Sequence, residues 1–369
     1  MTRIRRAVSI GLLAVAWLLF SLSSALAHRP GAHGSQTVYV ANEGSDTVSV
    51  IDIGSMKVTA TIPVGGGPQH VAISPDRSYA FVTCARSKEV WILALPAYTV
   101  VAVVPDATGP GGETIFGYGG TYAYVTDSLE GRVTVVEVAT GKRIALIPVG
   151  ERPAKIEITP DGGHAYVPSE RSNTVAVLNL SLNVVASEIP VGVKPYAVAI
   201  STDGKYLLIS GAGSKNVTVI EVGTHKVMRR IPVGDDPHHL VFGPGGGFAY
   251  VLNRGSNNVT IIQMASRQVM ATVPVGKEPS DADISPTGRY IYVTNIGSNN
   301  LSVISTQTSA VVKTIPVGTR PHDIVISSDG RYAFVANTGS DDISVINLLT
   351  QEPVSRIPVG RRPRGITLR

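Results

Sequence analysis

The sequence predicts an all-β ring of eight four-stranded antiparallel blades, a β-propeller, and three observations lead there. A pair of prolines recurs at a fixed step along the chain. Between successive pairs lie four short segments rich in Val, Ile, Tyr and Phe, separated by turn residues. The last copy of the repeat breaks off after its first segment, and the first copy lacks that segment.

The first proline of each pair ends an "IPVG"-like string: Pro63, Pro105, Pro148, Pro190, Pro232, Pro274, Pro316 and Pro358, at steps of 42 residues with a single step of 43. The second follows five residues later: Pro68, Pro110, Pro153, Pro195, Pro237, Pro279, Pro321 and Pro363. Self-similarity at such a period marks a repeat architecture. In the unit from Pro321 the segments are "DIVIS", "YAFVAN", "ISVIN" and "PVSRIPVG", with the β-branched and aromatic content of strands. The first two are joined by "SSDG", elsewhere "SPDR", "TPDG" or "STDG", which is hairpin-turn chemistry. The second and third are joined by "TGSDD", "IGSNN", "RGSNN" or "EGSDT". No stretch has useful helical periodicity. Four antiparallel strands in about forty residues make a propeller blade. A blade packs between two others and is apolar on both faces, which accounts for the unbroken "VSVI" and "VTVI". A parallel β-helix fits less well, because its rungs are shorter and lack antiparallel hairpins.

The strings "YVTN" (Tyr292–Asn295), "YVAN", "FVAN" and "YVTD", each followed by a Gly-Ser turn, "VSVID"-like strands and "IPVG", recur in register over nearly all of the chain after its leader. In these the sequence resembles the YVTN family of β-propeller repeat proteins. The second unit departs most, with Cys84 where the motif has Asn, and the next unit has lost the Asp-Gly turn in "TIFGYGG".

Ring closure follows from the ends. The repeat begins at "QTVYVAN", without a first strand, and finishes at "PRGITLR", which is only a first strand. Together they complete one blade and leave no unpaired strand where the ring joins. Second strands starting at Val38, Tyr79, Tyr122, His164, Tyr206, Phe248, Tyr290 and Tyr332 give eight blades. Seven, the commoner number in resembling proteins, is the alternative.

The N-terminus reads as a secretory signal peptide over residues 1–27: Arg3, Arg5 and Arg6, an apolar run from Gly11 to Phe20, and small residues at Ala25 and Ala27. Residues 28–35 read as a tail and 36–369 as one propeller domain. The protein is therefore expected to be exported, to the periplasm, the cell surface or the medium. Removing the three leader arginines lowers the formal net charge from +5 to +2. No basic patch interleaved with aromatics argues for nucleic acid, and no other apolar stretch is long enough to span a membrane. The single cysteine, Cys84, excludes an internal disulfide, a CxxC zinc site and CxxCH haem attachment.

Propellers place ligands at the channel mouth, on the face where each innermost strand begins. In resembling proteins that point follows the second proline. Four of the eight histidines fall in the sixteen slots immediately after those prolines, many times their random share, which marks a candidate site. With the ring closed, His238, His239, Asp281, His322, Asp323, Arg364 and His70 form one polar arc, while the Gly111-Gly112 and Ala154-Lys155 slots are expected to lie elsewhere. Three readings of the arc stay open: histidines that serve the fold, an anionic or organic ligand, or a metal on His70, His238, His239 and His322, since imidazole and carboxylate suit zinc or copper. No cofactor is required by the sequence, though a divalent metal fits these residue types.

No nucleophile elbow, Ser-His-Asp arrangement or paired glutamates stands out. The sequons at Asn216, Asn258 and Asn300 follow from Thr/Ser alternation in strands and receive no role. Lactonase-like, streptogramin-lyase-like and nitrite-reductase haem d1 propellers are similar in fold, but no motif here carries their functional residues over. The expectation is thus an exported, monomeric, non-catalytic propeller that binds a protein or small-molecule ligand at the mouth. The alternative is a small-molecule enzyme, lactonase- or lyase-like, or a metal or cofactor carrier using the same arc.

Overall fold

The first strand of the ring begins by pairing with the last. Thr37–Asn42 lies between Thr47–Asp52 and Pro363–Leu368, with Lys57–Pro63 outermost. The closing register sets Val38 against Leu368, Tyr39 against Thr367 and Val40 against Ile366. In this computed structural model, which describes residues Gln36–Arg369, the strands form eight four-stranded sheets. Eight blades therefore stand and seven do not. We number them from the closing blade, so that blade 2 starts at Pro68 and blade 8 at Pro321. The expected signal peptide and tail lie outside the described residues, among which no helix is long and apolar enough to cross a membrane.

The core is divided among the blade interfaces. Eight apolar clusters each draw on two neighbouring blades, as where Phe334, Ile343 and Val345 of blade 8 meet Val38, Val40 and Ile366 of blade 1. Middle strands are buried on both faces, and outermost strands alternate, as in Lys57–Pro63. The Asn that ends a second strand ties its hairpin together: Asn337 Nδ2 donates to Asp342 Oδ1 at 2.7 Å and Ser344 Oγ at 2.9 Å. At the matching place in blade 2, Cys84 is buried and its thiol is pushed up to about 12 by burial, so it stays protonated and unreactive.

Two devices set the mouth. A turn residue in one blade clamps the start of the next innermost strand: Asn299 Oδ1 accepts the N–H of Arg320 at 2.8 Å, and Asp341 Oδ1 that of Arg362 at 2.8 Å. All four of these residues sit at positive φ, 54° at Arg320 and 52° at Arg362, a conformation that costs non-glycine residues about 1–2 kcal/mol each and is held by the bond. Just after the proline, the ladder is interrupted by a bulge, between Pro68 and His70, Pro237 and His239, and Pro321 and Asp323. Bulges re-aim side chains, and here they turn the slot residues to the channel.

Candidate functional site

The slot residues converge on two adjoining hollows of about 90 Å³ each at the channel mouth. One is lined by His238, His239, Asp281, His322 and Asp323, the other by His70, His322, Asp323 and Arg364. All seven residues singled out from the sequence thus border one mouth.

The expectation that the Gly111-Gly112 and Lys155 slots lie elsewhere is corrected. Lys155 lines both hollows, and Gly111, Gly112 and Glu113 line the second. In an eight-membered ring, blades 4 and 8 face each other, so Lys155 and Asp323 approach from opposite sides. The channel is narrow enough for a lysine to bridge much of it. Lys155 Nζ lies 3.1 Å from Glu113 Oε1. Glu113 falls one position beyond its slot because blade 3 belongs to the single 43-residue step.

The carboxylates are fixed by the fold. Innermost strands of adjacent blades share no ladder, and at three of the blade interfaces an inward N–H is met by an acid of the preceding blade, forty-three residues earlier. Glu113 accepts from Ile156, Asp281 from Ile324, Asp283 from Ile326 and Asp323 from Ile366, at 3.2, 3.1, 2.8 and 3.1 Å.

The neighbours of these groups set their charge. Burial alone would raise Asp281, but His239, a hydrogen bond with Asp323, Lys155 and the Ile324 N–H hold it below the usual carboxylate range. Asp323 goes the other way, well above that range, through burial and the Asp281 charge beside it. The pair shares one proton, since two adjacent carboxylates cannot both ionise. His239 Nε2 lies 3.2 Å from Asp281 Oδ1. Burial opposes the charge on Glu113, but Lys155 and the Ile156 N–H outweigh it and hold the carboxyl below its ordinary range; Glu113 in turn holds the Lys155 ammonium above its ordinary range.

The four mouth imidazoles are neutral. Burial, with Arg254 nearby, pushes His238 down to about 3, and burial with Arg364 pushes His322 down to about 4. Burial lowers His70 and His239 as well. The Nδ1 atoms of His70 and His322 are buried without a hydrogen-bond partner. His238 stacks on Tyr196 with ring centroids 4.5 Å apart and planes inclined by 17°. Arg364 is tied into the rim, where Glu43 Oε1 meets its Nη1 at 3.4 Å and accepts from Gln69 Nε2 at 2.8 Å. Among the described residues no three His, Cys, Asp or Glu side chains come together to hold a metal ion.

Deeper in the channel, Glu157 is raised to about 8 by burial and by the Glu113 charge, against the opposing pull of Lys155. Between the ordinary carboxyl value and 8 the folded protein binds more protons here than the unfolded chain, so stability falls as pH rises through that window. Glu157→Gln removes the penalty. It is expected to stabilise the protein by on the order of 3 kcal/mol at pH 8.5, with the difference vanishing near pH 4.5. Denaturant unfolding at the two pH values checks this, and a difference that does not grow with pH would refute it.

The family model described as "Lactonase, 7-bladed beta-propeller" matches residues 27–228 and 224–352. The chain belongs to this family. Its eight sheets are one more than that description names. Among solved structures it is similar to dihydro-heme d1 dehydrogenase NirN in complex with DHE, at a TM-score of 0.78 and 18% identity over 90% of this chain and 74% of that one. It is also similar to apo AztD from Citrobacter koseri (TM-score 0.70, 15% identity, 91% and 98% of the two chains). A Bacteroides uniformis protein provisionally described as a 6-phosphogluconolactonase gives 0.63, 16%, 91% and 99%. At these identities the structures share the fold. A search of curated proteins found none that matches. The family membership overturns the expectation of a non-catalytic scaffold. That expectation rested on the lack of a linear catalytic motif, and a mouth assembled from separate blades leaves none.

Proposed function

We propose that the protein is an exported hydrolase of small cyclic esters, a YVTN-type lactonase propeller, acting at the channel mouth through His239, Asp281, Asp323 and Lys155. The observation that carries this is the chain of contacts in one hollow: a neutral imidazole 3.2 Å from an ionised carboxylate, which is hydrogen-bonded to a protonated one, with an ammonium among them. Neighbouring groups whose pKa values are driven apart are the mark of an acid and base assignment.

Asp281 orients the imidazole from its Nε2 side and leaves the Nδ1 lone pair to take a proton from water. The water oxygen adds to the ester carbonyl, and the oxyanion develops beside Lys155, whose charge Glu113 maintains. The ring C–O bond then breaks, and Asp323 gives its proton to the leaving alkoxide. The imidazolium returns its Nδ1 proton to water and Asp323 takes one up from water, which restores both groups and releases a hydroxy acid. His70, His322 and Arg364 line the way in, and the Tyr196–His238 stack forms one wall.

Hydrolysis of γ-butyrolactone and glucono-δ-lactone, followed by acid release in a pH-stat, tests the reading. Saturable hydrolysis in proportion to protein is expected. Rates no higher than those with heat-unfolded protein for both ring sizes would overturn it. The buried, unpartnered Nδ1 atoms of His70 and His322 favour a second reading, a carrier of a metal or metal-bearing cofactor. Saturable spectral titration with Cu²⁺ and no lactone turnover would select that one.

A further inference from the structure

Below the mouth the channel widens into a chamber of about 350 Å³. Lys155 and His239 line both this chamber and the first hollow, and Glu113 lines both it and the second. The hollows and the chamber therefore adjoin at the groups assigned to chemistry. Past that junction the wall comes from the innermost strands of blades 5 and 6, with Ala197, Ala199, Leu240, Val241 and Phe242, and it runs on to the exposed Thr202 at the opposite face.

The sequence shows why the space is there. Two and four residues after its second proline, blade 4 has Lys155 and Glu157, and blade 6 has His239 and Val241. Blade 5 has Ala197 and Ala199. Two methyl groups replace side chains that would fill the passage. The acid in the wall, Glu157, is raised to about 8 by burial and so adds no charge at neutral pH. Apart from Glu157 and the terminal Thr202, the wall past the junction is made of apolar side chains, and a mostly apolar pocket with a few placed polar groups is the ordinary form of a small-molecule site.

We propose that this chamber receives an unbranched alkyl chain borne by the substrate, which makes the substrate class a cyclic ester with a linear apolar substituent. The ester ring sits at the mouth, and the chain runs past Lys155 and His239 toward Thr202. At about 30 Å³ for a water-sized group, the chamber has room for about twelve such groups, so a chain of roughly six to ten carbons fits within it. The assignment of the ring rests on the hydrolase reading, and the seating of the chain does not.

The test therefore has two arms. In the first, hexanoate, octanoate and decanoate, which need no hydrolysis, are titrated calorimetrically into the mature protein. Kd is expected to fall about fourfold per added methylene and to level off near ten carbons. In the second, kcat/KM is measured for γ-lactones with no substituent and with butyl and hexyl substituents. It should rise with chain length by a similar factor. Ala199→Leu, and independently Val241→Phe on the facing strand, should reduce the hexyl-to-unsubstituted ratio at least tenfold. Both variants are checked for the parent's cooperative unfolding, so that either one suffices if the other fails to fold. Graded carboxylate binding without lactone turnover would refute the hydrolase reading and support the chamber. Turnover with kcat/KM and Kd both independent of chain length would refute the chamber and leave the hydrolase reading in place.

Discussion

A chain shortened by Arg364–Arg369 is expected to lose the cooperative fold of the ring. The removed residues take with them the ladder to Thr37–Asn42 and the Arg369 N–H bond to the Thr37 carbonyl at 2.9 Å. Ile366, 8% exposed between blades 8 and 1, and the partly buried Leu368 beside it also leave. Burial of such side chains is worth about 1.5–3 kcal/mol each. Loss of the Ile366 N–H deprives Asp323 of a donor at 3.1 Å, and the open ring exposes Thr37–Asn42 as an unpaired edge. Together these approach the whole stability of an ordinary domain, about 5–15 kcal/mol. The shortened protein should aggregate or unfold at a midpoint more than 10 °C lower. Ile366→Ala alone should cost about 2–5 kcal/mol. A truncated protein with the parent's solubility and midpoint would show that the terminal strand does not hold the ring shut.

The second large effect concerns the chemistry. His239→Gln should lower kcat for a hydrolysed lactone by about 10²–10⁴, the usual worth of a positioned general base. Asp281→Asn should fall in the same range while keeping the fold, because the amide oxygen can still accept the Ile324 N–H. His70→Gln, across the mouth in the other hollow, should raise KM and leave kcat within a few-fold. A kcat loss from His70→Gln as deep as that from His239→Gln would move the chemistry to the opposite side of the ring.

The fold was readable because the repeat is nearly invariant in length and every motif holds its register. The shared closing blade followed from a missing first strand at one end and a lone first strand at the other. The site was readable only in part. Residues directly after the second proline could be read off as neighbours, so His238, His239, Asp281, His322, Asp323, Arg364 and His70 were found. Lys155 is not legible from adjacency along the ring, because its long side chain reaches across the channel from blade 4. Glu113 was missed because the extra residue in its repeat moves it one place past the slot; the step of 43 was the available signal. The proton-sharing of Asp281 and Asp323, and the use of acids to satisfy the next blade's N–H groups, depend on distances that no local pattern encodes. The enzyme reading stands in the sequence only as the alternative for the same reason: the groups proposed for it come from blades 4, 6, 7 and 8 and are far apart in the chain.

Whether His239 works as a base and Asp323 as an acid is tested most directly by the pH dependence of kcat/KM. The base must be neutral, so activity is lost as pH falls through a pKa that burial has lowered below the ordinary imidazole value. The acid must be protonated, so activity is lost as pH rises through a pKa that burial and Asp281 have raised. The parent should give a bell whose limbs titrate with the apparent pKa values of the coupled groups. The residual activity of His239→Gln should lack the acid limb, and that of Asp323→Asn the alkaline limb. Both limbs persisting unchanged in both variants would contradict the assignment.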